Sequence, residues 1–152
     1  MSRKRKSQQS RGHAVIEVSL MAPWIFFLFM GTVGFGFYAS AAIATQNAAR
    51  EAVDQTSANT STAADATLAC DSARQELKSL PNMAGTSGCA VAAASVSQIL
   101  PVAVTAAQVV GPDSFQASQV SVTYQTIPMI PMPGLMGQMN ITRTAVMRIK
   151  DQ

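Results

Sequence analysis

The sequence predicts an α+β fold: a long N-terminal transmembrane helix that extends into a small exported domain, with a second helix and a C-terminal antiparallel β-hairpin or small sheet. Three observations carry this. No Lys, Arg, Asp or Glu occurs between Glu17 and Arg50. Further on, Ala66, Ala69, Cys70, Ala73, Leu77 and Leu80 recur at three- and four-residue steps, the period of an amphipathic helix. Near the end, "QVSVTYQT" alternates apolar and polar residues, and "NITRTAVMRI" can pair with it.

The N-terminal segment is set apart by charge. Charged residues are only 12% of the 152, well below the share in a typical soluble domain. Five of the eleven basic residues (Arg3, Lys4, Arg5, Lys6 and Arg11) precede Gly12, with no acid among them. A leader of +5 therefore precedes a body of −2. The leader has no interleaved aromatics, and no DNA-binding pattern follows, so nucleic acid is not the expected partner. Basic residues just before an apolar run are instead the pattern retained on the cytoplasmic side of a membrane.

The run itself is long enough to span. Its densest part, Leu20 to Ala44, would form a helix about 37 Å long against a hydrocarbon core of about 30 Å. Trp24 lies toward one end and Tyr38 toward the other, as interfacial aromatics do. Gly31, Gly34 and Gly36 permit close helix contact in lipid. Pro23 leaves the carbonyl of Ser19 without its helical partner, which predicts a kink or a loosened turn over 19–23.

Such a segment has three possible fates. It is a plain anchor, a secretory signal peptide cut near Ala44 in "ASAAIA", or a leader cut on the cytoplasmic side. The apolar core of a signal peptide usually runs about 7–15 residues, much shorter than this one. The third fate uses more of the residues: a basic leader, Gly12, four residues, then Glu17 at the head of the uncharged run. Together with Pro23 and "NAAREAV" at 47–53, this order of parts resembles the TadE-like pseudopilins of the tight-adherence (Tad/Flp, type IVb) pilus system. The resemblance extends to an alternating strand, a Pro/Leu/Gly-rich tip and a Thr-rich final strand. The middle of the chain is generic. Flp major pilins carry Tyr after the Glu, where this chain has Val18, and they are much smaller. The resemblance therefore implies a minor pseudopilin.

It also implies roles for particular residues. A prepilin peptidase would cut between Gly12 and His13, where a small residue lets the protease approach the backbone. His13 would become the new N-terminus and Glu17 the fifth mature residue. An unpaired carboxylate in hydrocarbon costs several kcal/mol. The N-terminal amine of a neighbouring subunit could offset that cost, so Glu17 is expected to set subunit register. The plainer alternative leaves Glu17 at the headgroup level of an uncleaved anchor. His13 is the only histidine and has no companions at ligand spacing, so no metal site is expected there.

Beyond the run, the first helix is expected to continue to about Thr56. "TSANTST" would loosen the chain, and a second helix would end near Leu80, stopped by Pro81 and Asn82. The expected parts are a cytoplasmic leader (1–12), a membrane-spanning and extended helix (13–56) and an exported domain (57–152). Cys70 and Cys89, the only cysteines, fit no zinc spacing. Outside the cytoplasmic membrane they are expected to form a disulfide, the alternative being two buried thiols. Between Ala90 and Gln108 the Ala/Val-rich sequence does not separate helix from strand. "IPMIPMPGLMGQM", between the two strand patterns, holds three prolines and two glycines. It is either a Met-rich contact surface or a tip folded onto the core.

No phosphate-binding glycine loop and no nucleophile with a histidine partner occurs, so neither enzyme activity nor a cofactor or small-molecule substrate is expected. The expected function is assembly of a Tad pilus that supports surface attachment and biofilm formation. The expected partners are the inner membrane, the prepilin peptidase, other pilin subunits and the Tad secretion machinery. The N-terminus would be cytoplasmic and the C-terminal domain periplasmic. The rival readings are an envelope-anchored binding protein unrelated to pili and a secreted protein released near Ala44.

Overall fold

A computed structural model describes residues 6–85, 88–91, 101–127 and 138–150. The elements in chain order are helices α1 (Lys6–Thr56) and α2 (Ala66–Leu77), then strands β1 (Ala90–Val91), β2 (Val102–Val110), β3 (Gln116–Gln125) and β4 (Asn140–Arg148). The fold is α+β, as the sequence predicts. The chain divides into two compact units, Met1–Phe37 and Tyr38–Gln152.

The first unit holds the apolar part of α1. From Ala14 to Phe29 every side chain is exposed. The helix is apolar on all sides, and within Ala14–Thr56 it is long and apolar enough to cross a membrane. It runs without a break through Pro23, so the chain stays helical over 19–23, where a kink or a loosened turn is expected. Proline removes one backbone bond, and the turns on either side keep theirs. The helix also begins at Lys6, within the segment expected to be leader.

The second unit includes the last turns of α1. Here the sequence turns to small residues on one stripe: Ala41, Thr45, Ala48, Ala49, Ala52, Val53 and Thr56 are all buried. Their spacing of three and four places them on one face. α1 ends at Thr56, where the sequence reading ends it.

α2 begins on a cap. The Asp65 side chain accepts hydrogen bonds from the backbone N–H groups of Thr67 (2.9 Å) and Leu68 (3.2 Å), two donors that a helix start leaves unpaired. The predicted stripe faces inward: Ala69, Cys70, Ala73 and Leu77 are buried. The helix stops at Leu77, one turn before the expected end, and the chain turns back through Leu80 N–H to Leu77 O. Leu80 and Met83 still reach the core from this turn. Asn82 does more than stop a helix. Its amide donates to Gln125 O (2.7 Å) and its carbonyl oxygen accepts from the Tyr124 hydroxyl, which ties the turn to β3. Burial raises the pKa of that hydroxyl.

The sheet is four-stranded in the order β1-β2-β3-β4. β1 pairs parallel with β2, and the other pairs are antiparallel. The register sets Val104, Val122 and Arg143 in one row and Val102, Tyr124 and Ile141 in the next. The inner face thus collects Val102, Val104, Val120, Val122, Tyr124 and Ile141, which join the α1 stripe and α2 in one core. The other face carries polar rows. Thr123 and Thr142 share a hydrogen bond (2.9 Å), as do Ser121 and Thr144. "QVSVTYQT" and "NITRTAVMRI" are therefore antiparallel partners, as read from their alternation. The undecided Ala/Val-rich stretch yields β2 in its second half. β2 reaches β3 through a tight turn in which Gly111 N–H bonds Phe115 O (2.8 Å). Most of the Met-rich tip lies outside the described residues.

Buried polar groups join these layers. Ser118 Oγ lies 2.8 Å from both Thr56 Oγ1 and the Ala63 carbonyl. One hydroxyl can donate to the next and that one to the carbonyl, so the end of α1, β3 and the loop before α2 share a chain of bonds. Lys150 closes the structure, with its N–H on Ser57 O (3.0 Å) and its ammonium on Asp54 (2.9 Å).

Two outcomes are expected. Leu77 is fully buried, so Leu77→Ala should lower the unfolding free energy by about 2–5 kcal/mol, against less than about 0.5 for exposed Lys78→Ala. Urea titration of the protein in detergent reads the difference. The second concerns pH. The Thr67 hydroxyl, then the backbone N–H groups of Leu68 and Thr67, hold the Asp65 carboxyl below its ordinary 3.8. A lowered folded-state pKa adds stability that is complete above 3.8 and is lost as pH falls through the folded value. Asp65→Asn keeps a capping oxygen but no charge. Its urea midpoint should fall below wild type at neutral pH and converge with it in acid. Parallel curves would contradict this account.

Candidate assembly site

The residues singled out at the N-terminus all lie on α1. Glu17 is exposed, and so are its neighbours from Ala14 to Leu20. It lines a shallow apolar groove on the helix surface with Val18, Met21, Ala22 and Ile25. Neither ion pair among the described residues involves it. One carboxylate therefore stands on a surface otherwise fit for hydrocarbon. Gly12 and His13 are in the same helix, with His13 one turn before Glu17. Their side-chain surroundings lie outside the described residues, as does the start of the basic leader.

The aromatic and aliphatic side chains after Glu17 add a large uncovered surface. Trp24 and Phe35 are each 72% exposed. Water does not favour such a surface, and lipid or other apolar helices are the surroundings that suit it.

Cys70 on α2 and Cys89 just before β1 are joined by a disulfide, with Cα atoms 5.9 Å apart. The bond ties α2 to the start of the sheet. No cluster of three or more His, Cys, Asp or Glu side chains able to hold a metal occurs among the described residues.

Sequence reading alone does not single out a second feature, a groove of about 420 Å3 between α1 and β4. Arg50 and Arg143 line it, 93 positions apart in the chain. Only the position of β4 in the sheet brings them together. The one signal available beforehand was the basic character of the last strand, with Arg143, Arg148 and Lys150 within eight residues.

These observations define a class: a chain with one helix able to cross a membrane, joined to a compact α+β unit. Residues 12–54 match the family model of TadE-like proteins. The match covers Gly12, Glu17, Pro23 and the Ala48–Glu51 stretch; the alternating strand, tip and final strand to which the resemblance extends lie outside it. That family is associated with the Tad pilus system and is structural rather than enzymatic. No curated protein and no solved structure matches the chain.

Breaking the disulfide should cost about 3 kcal/mol, the chain entropy released when a loop of this size opens. The Cys70→Ala/Cys89→Ala protein is the test. Its urea midpoint should match that of reduced wild type and lie below that of oxidised wild type.

Proposed function

We propose that the protein is a minor pseudopilin that helps assemble, initiate or cap a Tad pilus, and so supports surface adhesion and biofilm formation. The observation that carries the reading is Glu17. It is a lone acid five residues after Gly12, on an exposed apolar helix, inside the segment that matches the TadE-like model. In this reading the protein is a single-pass inner-membrane protein with a cytoplasmic N-terminus and a periplasmic α+β unit. A prepilin peptidase cuts after Gly12 and frees the amine of His13. Subunits then pack side by side through their α1 helices. Glu17 pairs with the amine of a neighbour, because a carboxylate in hydrocarbon costs several kcal/mol without a partner. Partners in this reading are other pilin and pseudopilin subunits and the Tad secretion machinery.

Release near Ala44 fits the packing less well. Ala41 and Thr45 flank that bond, both are buried, and the Thr45 hydroxyl bonds the Ala41 carbonyl (2.7 Å). A cut there would remove part of the core stripe.

Mass spectrometry of the N-terminal peptide from native cells tests the proposal. A start at His13 is expected. A start at Thr45 would mean a secreted protein, and an intact leader would mean a plain anchor. In the same cells Glu17→Val should still insert in the membrane and be processed. Its amount in the sheared pilus and machinery fraction should drop by about tenfold or more, in keeping with the loss of a charge pair in hydrocarbon. Full incorporation of that variant would remove Glu17 from the mechanism.

A further inference from the structure

The groove between α1 and β4 has an unusual charge balance. Its α1 wall is Gln46, Ala49 and Arg50, and its β4 wall includes Arg143, Ala145 and Met147. Among the described residues, neither arginine has a hydrogen-bond or ion-pair partner. The acids nearest in sequence to Arg50 are already engaged. Glu51 accepts from the Gln55 amide (3.1 Å), and Asp54 holds the Lys150 ammonium (2.9 Å). Two arginines thus line one cavity with no ion-pair partner among the described residues. The floor between them is apolar, since Ala49 is buried and Ala145 and Met147 are half-buried.

The other wall has a further property. β4 is the last strand of the sheet, and β3 is its only partner among the described residues. One row of its backbone N–H and C=O groups is therefore open for pairing. Basic side chains on such an edge ordinarily discourage another strand. They discourage one that is basic or neutral, and they favour one that carries carboxylates.

We propose that this groove docks an extended, carboxylate-bearing segment of a partner protein. The segment lies along the free edge of β4 as an added strand. One of its acidic side chains sits between Arg50 and Arg143, and its apolar side chains cover Ala145 and Met147. Backbone bonds supply affinity, and the guanidinium pair selects for acid, since charge-assisted bonds to arginine are stronger than neutral ones. The inference deepens the assembly reading by naming the chemistry of a partner surface, and it rests on that reading for the partner's whereabouts.

The test uses the full-length protein in neutral detergent and a fluorescein-labelled octapeptide of alternating Val and Glu. The Val/Lys octapeptide and phosphatidylglycerol micelles are the comparison ligands. The Val/Glu peptide should bind and the Val/Lys peptide should not. Arg50→Gln/Arg143→Gln should weaken binding by about tenfold or more, and so should about 0.5 M NaCl. Bound peptide should slow hydrogen exchange of the β4 amides from Arg143 to Met147. Unchanged exchange in β3 of the free double variant checks that it is folded. Equal binding of both peptides would overturn the proposal, as would undiminished binding by the double variant or peptide binding without protection of β4. Displacement of the peptide by phosphatidylglycerol, with direct lipid binding that needs both arginines, would reassign the groove to a lipid headgroup and overturn it too. This experiment needs neither cleavage nor a pilus. A start at His13 with no peptide binding would leave the assembly reading standing and remove this inference. Binding with an uncleaved leader would do the reverse.

Discussion

Everything else in this molecule depends on one helix having to satisfy two different surroundings. α1 is apolar on all sides over its first part and small-sided on one stripe over its last. The first composition has no stable arrangement in water, and the second has none in lipid that would explain its burial pattern. The change comes near Tyr38 and Ala41, where side chains pass from exposed aromatics to buried alanines. From there the small residues share one core with Val120, Val122 and Tyr124, which supply the bulk that the alanines lack. Replacing fully buried Ala48 or Ala52 with a large residue would push against a packed layer.

The parts legible in the sequence were those with an undiluted period. The uncharged run of α1, the three-and-four stripe of α2 and the alternation of β3 and β4 all appear where they were read. β2 escaped because Ala106 and Ala107 interrupt its alternation with a residue that also suits helices, and because its far end leaves Val110 74% exposed. β1 is two residues long and exists only by pairing with β2. The end of α2 departs from its periodicity for a related reason. Leu80 keeps the helical spacing of the stripe, but it reaches the core from a turn.

The candidate sites were legible to different degrees. Glu17 stands out because charge is so rare around it, which one sequence can show. The pairing of Cys70 with Cys89 was read from compartment and number alone. The meeting of Arg50 with Arg143 could not be read at all, since it requires the strand order as well as the strands. A local pattern reports which face a residue takes. It does not report which distant element comes to lie opposite.

The joint between the end of α1 and the sheet has a further consequence. The fully buried polar side chains there, Thr56, Ser57 and Ser118, are all hydroxyls. None of them carries a charge at any pH a cell meets. Ions do not screen such a joint, and acid does not undo it. The one ionic link nearby among the described residues, Asp54 with Lys150, lies at the surface, where salt can weaken it without exposing the core. The fold therefore keeps its helix and sheet together by contacts that are insulated from the medium, and leaves to its surface charges whatever must respond to it.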